Sequence, residues 1–472
     1  MEAGLEGPSI DFVPTICFIP RGIAKEKPEK VVLSQFELAK IILGVPECLV
    51  SQVQKCDSDV DEMGVNEASL VADTNTENHN LTDEFAFQSY EQEGSAHAAD
   101  ILNIVEPDYR WDEETDSEAE DDIIKSTDNL LLAGHVQDDS AFLEVWVFNK
   151  DEASFYAHHD FLLPSYPLCI EHLNRDPGSD KPGNMCAIGS MDPVITLWDL
   201  DIQDLMEASF KLGSEGSKKS NGDKFGHSDA VLDLSWNKQY EHILASGSID
   251  QTLILWDLDC GVPHTAITAF EEKVQTIEFN PDEYQSILAG SGGGIVRLLD
   301  CRDSKPNDAS CVKWFISGEV EKVLWHPVHY NYFIVGNSEG DLAFADKRKP
   351  TEFLWCNKAH GEEISGVCFN DEKTDLLTST SVDGTLKIWK CDKNDLKEIY
   401  KHDFKMGRLQ CMKQCPEDPF TLACGSNYVM YLGLNWDRSL HMLQPQHVWR
   451  YPTNPDLLLY LDVIFDGDPN NN

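Results

Sequence analysis

From residue 129 to residue 434 the chain repeats one layout, a short apolar run, a polar turn and a second apolar run. HILASGSIDQTLILWDL (242–258) and LLTSTSVDGTLKIWK (376–390) are the clearest copies. AIGSMDPVITLWDL (187–200) keeps Asp192 six residues before Trp198, while SILAGSGGGIVRLLDCR (286–302) and YFIVGNSEGDLAFADKR (332–348) keep the strands and lose the Trp. NLLLAGHVQDDSAFLEVWVFN (129–149) and FTLACGSNYVMYLGL (420–434) bring the series to seven. The period of roughly 45 residues is that of propeller blades. Six units are preceded by a further period-2 strand: PLCIEHLN, AVLDLSWN, KVQTIEFNP, VEKVLWHP, ISGVCFN and RLQCMKQCP. Alternating apolar and β-branched positions closed by turn residues are the strand signature.

The first unit lacks such a partner. VPTICFIPRG (13–22), with Ile16, Phe18 and a closing Pro20, has the right pattern and lies before a long interruption. A ring must be closed, because an open blade leaves strand edges exposed. The pattern therefore predicts an all-β, seven-bladed propeller in which residues 13–20 complete the first blade. Residues 21–125 are an insertion, 126–442 the rest of the propeller, and 443–472 a C-terminal extension. Within the insertion, SQFELAKIILG (34–44) sets Phe36, Leu38, Ile41 and Ile42 near one face before Gly44, which predicts a short helix near 34–43.

Charge adds a second character. The chain carries 83 acids and 37 bases, a net −46, so direct nucleic-acid binding by the bulk surface is not expected. Residues 47–122 hold 23 acids and 2 bases. Such a composition buries too little apolar surface to offset its entropy, so the insertion is expected to be largely disordered and to attract basic proteins such as histones, ribosomal proteins or assembly factors. Inside it, DEETDSEAEDD (112–122) places acids three residues after Thr115 and Ser117, making both candidate phosphorylation sites. Tyr109 and Trp111 are candidate docking anchors. The 14 cysteines form no Cys-x-x-Cys pair, so buried reduced thiols are expected and a metal is not. MEAGLEGPSIDF has no leader pattern and no run of about 18 apolar residues occurs, so a membrane association is not expected.

Two constellations invite a chemical reading. His227, Ser246, Asp250 and Trp256 recur as His360, Ser379, Asp383 and Trp389, with 23 residues from His to Asp and six from Asp to Trp in both sets. A Ser/His/Asp nucleophile would need an oxyanion hole besides. Two copies at a repeat period favour a structural tetrad, a hydrogen-bonded chain from a blade-connecting loop to the indole N–H. His158 and His159 resemble a metal pair, but adjacent side chains on a regular strand point to opposite faces. GSGGG (290–294) leads into a strand rather than a helix, which excludes a phosphate loop.

The Trp-Asp endings and the His, Ser, Asp, Trp spacing resemble WD repeats. The chain as a whole resembles the periodic tryptophan protein 1 family, through RGIAKEKPEKVVLSQFELAKII, the acidic stretch, DNLLLAGHVQDDSAFLEVWVFN, FLLPSYPLCIEHLN and HSDAVLDLSWN with LILWDLD. The resemblance covers most of residues 13–435. It implies a nuclear, largely nucleolar propeller tied to ribosome biogenesis, ribosomal RNA expression and chromatin. The chain departs from the family in its loop 213–226, where only Lys218, Lys219 and Lys224 are basic, and in residues 440–472. The expectation is a non-catalytic scaffold without a cofactor. Its rivals are a substrate receptor of a cullin-type ubiquitin ligase, suggested by Asp300-Cys301-Arg302 and Asp346-Lys347-Arg348 although Leu299 and Ala345 replace the Trp, and a hydrolytic propeller.

Overall fold

A computed structural model describes residues 11–30, 122–150, 152, 154–179, 181–214, 226–303, 311–405, 407–427 and 430–433. All belong to one compact unit, 1–31 with 121–472. The second unit, 32–120, lies outside the described residues, and with it the helix and the disorder expected of the insertion. The described residues are strands and turns, with no helix among them.

Alternation of apolar and polar positions pays out as six antiparallel four-stranded sheets and one three-stranded sheet. The first sheet opens with Asp11–Ile19, whose register sets Ile16 beside Ala133 and Ile19 beside Leu130 of Asn129–Gln137. Ser140–Asn149 and Ser154–Leu163 complete it. The register slips between Phe12 and Thr15, where Pro14 has no N–H to give the ladder. The later sheets open with Pro167–Leu173, Val231–Trp236, Val274–Phe279, Val320–Trp325, Ile364–Phe369 and Leu409–Gln414. Each opening strand packs on the next, and Leu409–Gln414 packs also on Asp11–Ile19. The sheets are the blades of a ring closed by the N-terminal strand.

Among the described residues six blades are complete, not the seven expected. The last sheet holds Leu409–Gln414, Leu422–Ser426 and Met430–Gly433, three strands among the described residues. Counting strand-turn-strand units credited it with a whole blade, whereas its fourth strand would have to follow Gly433. The chain also stays on the propeller beyond residue 20. Ile23 and Ala24 pack against the core shared by the first two blades, Ile124 is buried there, and Glu29–Lys30 pairs in parallel with Ile202–Gln203.

Blade faces meet through apolar clusters, and close approach is permitted at one recurring position. A Cβ on Gly247 would stand 2.8 Å from Val274 Cγ1 of the next opening strand, and one on Gly189 2.8 Å from Val231 Cγ1. Turns are stitched round the ring as well. Asn237 Nδ2 donates to the Tyr284 carbonyl (2.7 Å), Asn280 Nδ2 to that of Tyr330 (3.1 Å) and Asn370 Nδ2 to that of Pro419 (2.7 Å). At the closing seam the Arg21 N–H donates to Glu417 Oε1 (2.7 Å), and Lys150 pairs with Asp418 (2.8 Å).

Candidate functional site

The two repeated constellations sit at equivalent corners of the third and sixth blades. Ser246 Oγ accepts the Trp256 indole N–H at 2.8 Å and lies 2.6 Å from His227 Nε2. The other ring nitrogen faces Asp250 (3.3 Å) and Thr252 Oγ1 (3.1 Å). Asp250 also accepts the N–H groups of Ser228 (2.9 Å) and Thr252 (3.0 Å) and the Thr252 hydroxyl (2.5 Å). The second set repeats this. Ser379 Oγ is 2.8 Å from Trp389 Nε1 and 2.7 Å from His360 Nε2, and Asp383 accepts from Gly361 N (3.1 Å), Thr385 N (2.9 Å) and Thr385 Oγ1 (2.6 Å). Burial pushes the His360 imidazole down to about 4, so it is neutral at pH 7. A neutral ring with its proton on Nδ1 donates to Asp383 and accepts the serine hydroxyl. Ser246 and Ser379 are both 0 % exposed, out of reach of any substrate.

Thr252 and Thr385 complete these networks and went unread in the sequence. Their signal is a Thr two residues after the turn Asp, in SIDQT and SVDGT. Trp198 lacks the full set and donates to Thr196 Oγ1 (3.1 Å) in its own strand.

The imidazoles of His158 and His159 do not point to opposite faces. The pairing of Ser140–Asn149 with Ser154–Leu163 shifts between Val145, opposite His159, and Trp146, opposite Ala157. His158 is thus the extra residue of a bulge, which breaks the period-2 rule and brings the two Nδ1 atoms to 2.8 Å. Burial and then His158 hold the His159 ring down at about 3, so it is neutral at pH 7. The contact is a hydrogen bond between imidazoles. Among the described residues no group of three or more His, Cys, Asp or Glu is placed to hold a metal.

The channel wall carries carboxylates that sequence reading also missed. Glu171, Asp233 and Glu278 lie on consecutive opening strands, and each accepts a backbone N–H of the next: Trp236 (3.3 Å), Ile277 (2.8 Å) and Trp325 (2.7 Å). An inner strand has no ladder partner on its channel side, and these side chains satisfy its donors. Burial pushes the Glu278 carboxyl up to about 8, against the hydrogen bond from Trp325 and the charge of Lys413. The folded state therefore holds a proton that the unfolded chain releases near 4.5, and stability falls as pH rises between these values. Glu278→Gln keeps the acceptor and removes the titration. Its stability relative to the parent is expected to rise by about 2 kcal/mol from pH 5 to pH 8.5, less than the unscreened value because Glu278 is only partly buried. Urea melts at the two pH values check this, and a constant gap refutes it.

The two Asp-x-Arg turns fold on themselves. Arg302 grips Asp300 (2.5 and 2.9 Å), and Arg348 grips Asp346 (2.8 Å) and reaches the Tyr332 hydroxyl (3.1 Å). A cavity of about 400 Å³ opens where the chain leaves and rejoins the propeller, lined by Arg21, Glu26, Ile124, Lys125, Asp128 and Leu130 among others. Thr115 and Ser117, Tyr109 and Trp111, and residues 215–225 with Lys218, Lys219 and Lys224 lie outside the described residues.

Comparison with known proteins adds names to this geometry. The WD domain, G-beta repeat family matches residues 220–257 and 351–390, the stretches that hold the two tetrads. The chain is 57 % identical over 435 residues to the periodic tryptophan protein 1 homolog of Drosophila melanogaster, covering 90 % of this chain and 94 % of that one. It is 26 % identical to periodic tryptophan protein 1 of Saccharomyces cerevisiae, over 85 % of this chain and 83 % of the yeast protein. A shorter match, 26 % identity over 215 residues and 44 % of this chain, is to the ribosome biogenesis protein WDR12 homolog of Drosophila yakuba, of which it covers 48 %.

Proposed function

Because the chain belongs to the periodic tryptophan protein 1 family, we propose that it is a non-catalytic WD-repeat scaffold of ribosome biogenesis that works in the nucleus and nucleolus. In this reading the three-stranded sheet is the seventh blade, and the two tetrads are struts that pin connecting loops to blades. The acidic insertion, rooted between the first and second strands of one blade, is a dock for basic clients such as ribosomal proteins, assembly factors or histones. Phosphorylation of Thr115 or Ser117 would deepen its charge.

The observation that carries the reading is the likeness along nine-tenths of the chain to a propeller family with a shorter match to a protein named for ribosome biogenesis. The inaccessible serine hydroxyls support a scaffold over a hydrolase. The self-paired Arg302 and Arg348 offer fewer donors to a ligase adaptor than free arginines would. The test is a nuclease-treated affinity purification of the full chain beside a variant whose residues 47–122 are a neutral linker of equal length. Ribosomal proteins and assembly factors are expected with the first and depleted from the second. A cullin adaptor dominating both would replace the reading with its rival.

A further inference from the structure

Six seams between neighbouring sheets are packed in the same way. The outer, fourth strand of one blade lays an apolar side chain against the core it shares with the next: Phe161, Leu212, Ile267, Trp314, Trp355 and Tyr400, in order round the ring. Trp198, Trp256 and Trp389, on the third strands of the second, third and sixth blades, share these cores with Phe161, Leu212 and Trp355. So covered, the three indoles are 1 %, 0 % and 5 % exposed, and Phe161 meets Trp198 at 5.4 Å between ring centroids.

The seventh seam differs. Trp146 holds the same place in the first blade: it stands three residues after Leu143, which faces Gly134, as Trp256 stands three after Leu253, which faces Gly247. The pairing with the fourth strand shifts at both tryptophans, between Val145 and Trp146 and between Leu255 and Trp256. Trp146 is only half-buried, however, and its ring stacks on Phe155 of its own blade, 4.8 Å between centroids. From the last sheet this core takes Cys411, Cys415 and Ala423, and among the described residues no outer-strand side chain. Met430–Gly433 of that sheet pairs with Leu422–Ser426 on one side, and among the described residues no strand lies along its other edge. An open edge and a half-covered indole on one seam call for a single strand with apolar side chains on one face.

The chain itself carries such a segment. Met430 faces Gly425 as Leu253 faces Gly247, so the third blade supplies the register. There Val262 opens the outer strand nine residues after Leu253, and Pro263, Thr265 and Ile267 turn inward while Val262, His264 and Ala266 are exposed. Counted from Met430, the same intervals open a strand at Ser439, after the turn residues Asn435, Trp436, Asp437 and Arg438, and turn Leu440, Met442 and Gln444 inward. We propose that residues 439–444, SLHMLQ, dock on the edge of Met430–Gly433 as its fourth strand, with Leu440 and Met442 covering Trp146 and closing the seventh seam. This latch rests on the reading of the three-stranded sheet as the seventh blade. When it is displaced, the edge of Met430–Gly433 is left to pair with another chain.

In the third blade Leu255 faces Thr265, which by the same intervals sets Leu432 opposite Met442. The full-length Leu432→Cys/Met442→Cys protein is expected to form that disulfide within one chain under mild oxidation, because facing residues of an antiparallel pair are at bridging distance. Mass mapping of the unreduced digest distinguishes it from links among the 14 native cysteines. The control, Leu432→Cys/Tyr460→Cys, is expected to link about tenfold less. Leu440→Asp/Met442→Asp is expected to speed amide exchange over 430–433 about tenfold while Leu253–Asp257 stays protected, which shows the rest of the ring folded. A link to residue 460, or a 432–442 link between two chains, overturns the assignment and spares the four-stranded blade, its last strand then coming from further along the chain or from a second copy. No link in either protein, with rapid exchange over 430–433 in the parent, overturns both the latch and the seventh-blade reading.

Discussion

Ile16→Asp is expected to cost about 4 kcal/mol of propeller stability, most of what a domain of this kind has to lose. Ile16 is 1 % exposed and lies in the cluster of Val13, Phe18, Leu131, Phe148, Cys415 and Ala423, which joins the first and last blades. A carboxylate there has no cation beside it, so the penalty is that of an uncompensated buried charge. The damage falls on the seam that closes the ring, and the edges so opened are free to pair with other chains. By contrast, replacing residues 31–121 with a short linker should leave the urea midpoint unchanged or raised. Lys30 and Asp122 already meet at 2.6 Å, so a few residues can bridge the gap. Shortening so long a connection recovers about 2 kcal/mol of closure entropy at most. Urea denaturation of both variants is the measurement. A parent-like Ile16→Asp protein would mean that the ring closes without Asp11–Ile19.

The reason this strand could be found from sequence is that closure is an arithmetic constraint. Seven strand-turn-strand units faced six leading strands, and VPTICFIPRG was an unassigned stretch with the matching alternation. The tetrads were legible because repetition fixes spacing along the chain, 23 residues and then six, with no need to know the fold. What depended on register or on neighbours across the ring was not legible. His158 falls on a bulge, and a single added residue inverts every inference from alternation. Glu171, Asp233 and Glu278 meet their N–H partners 65, 44 and 47 residues further on, so nothing local distinguishes them from surface acids. The Gly before Ser in IGS, SGS and AGS repeated in plain view, and its meaning lies in a neighbouring blade's valine. The three-stranded sheet shows the same limit. A unit count measures hairpins, and a blade also needs an outer strand.

Asp250→Ala is expected to cost about 3 kcal/mol at pH 7, and Asp383→Ala a similar amount, because each strands several donors that the carboxylate now satisfies. The pH dependence separates this from simple loss of packing. Burial alone would raise the Asp250 carboxyl, yet the hydrogen bonds from His227 and Thr252 hold it well below the usual carboxylate range. Burial and the donors on Thr385 and Gly361 act on Asp383 in the same two senses, with a net lowering. A depressed folded-state value means that stability is in place above the unfolded value of 3.8 and drains away as pH falls below it. The cost of Asp250→Ala should therefore shrink below about pH 4, where the parent loses what the variant never had. His360 acts in a different window. The unfolded imidazole takes up a proton below 6.5 while the folded one waits until about 4, so the parent loses stability across that interval on acidification. His360→Gln, lower in stability at pH 7, should show a flatter profile between pH 6.5 and 4 and the same steep fall beneath it. Urea melts at closely spaced pH values for the parent, Asp250→Ala and His360→Gln decide the matter. If the Asp250→Ala cost stays constant down to pH 2, the carboxylate is not what holds the loop to the blade.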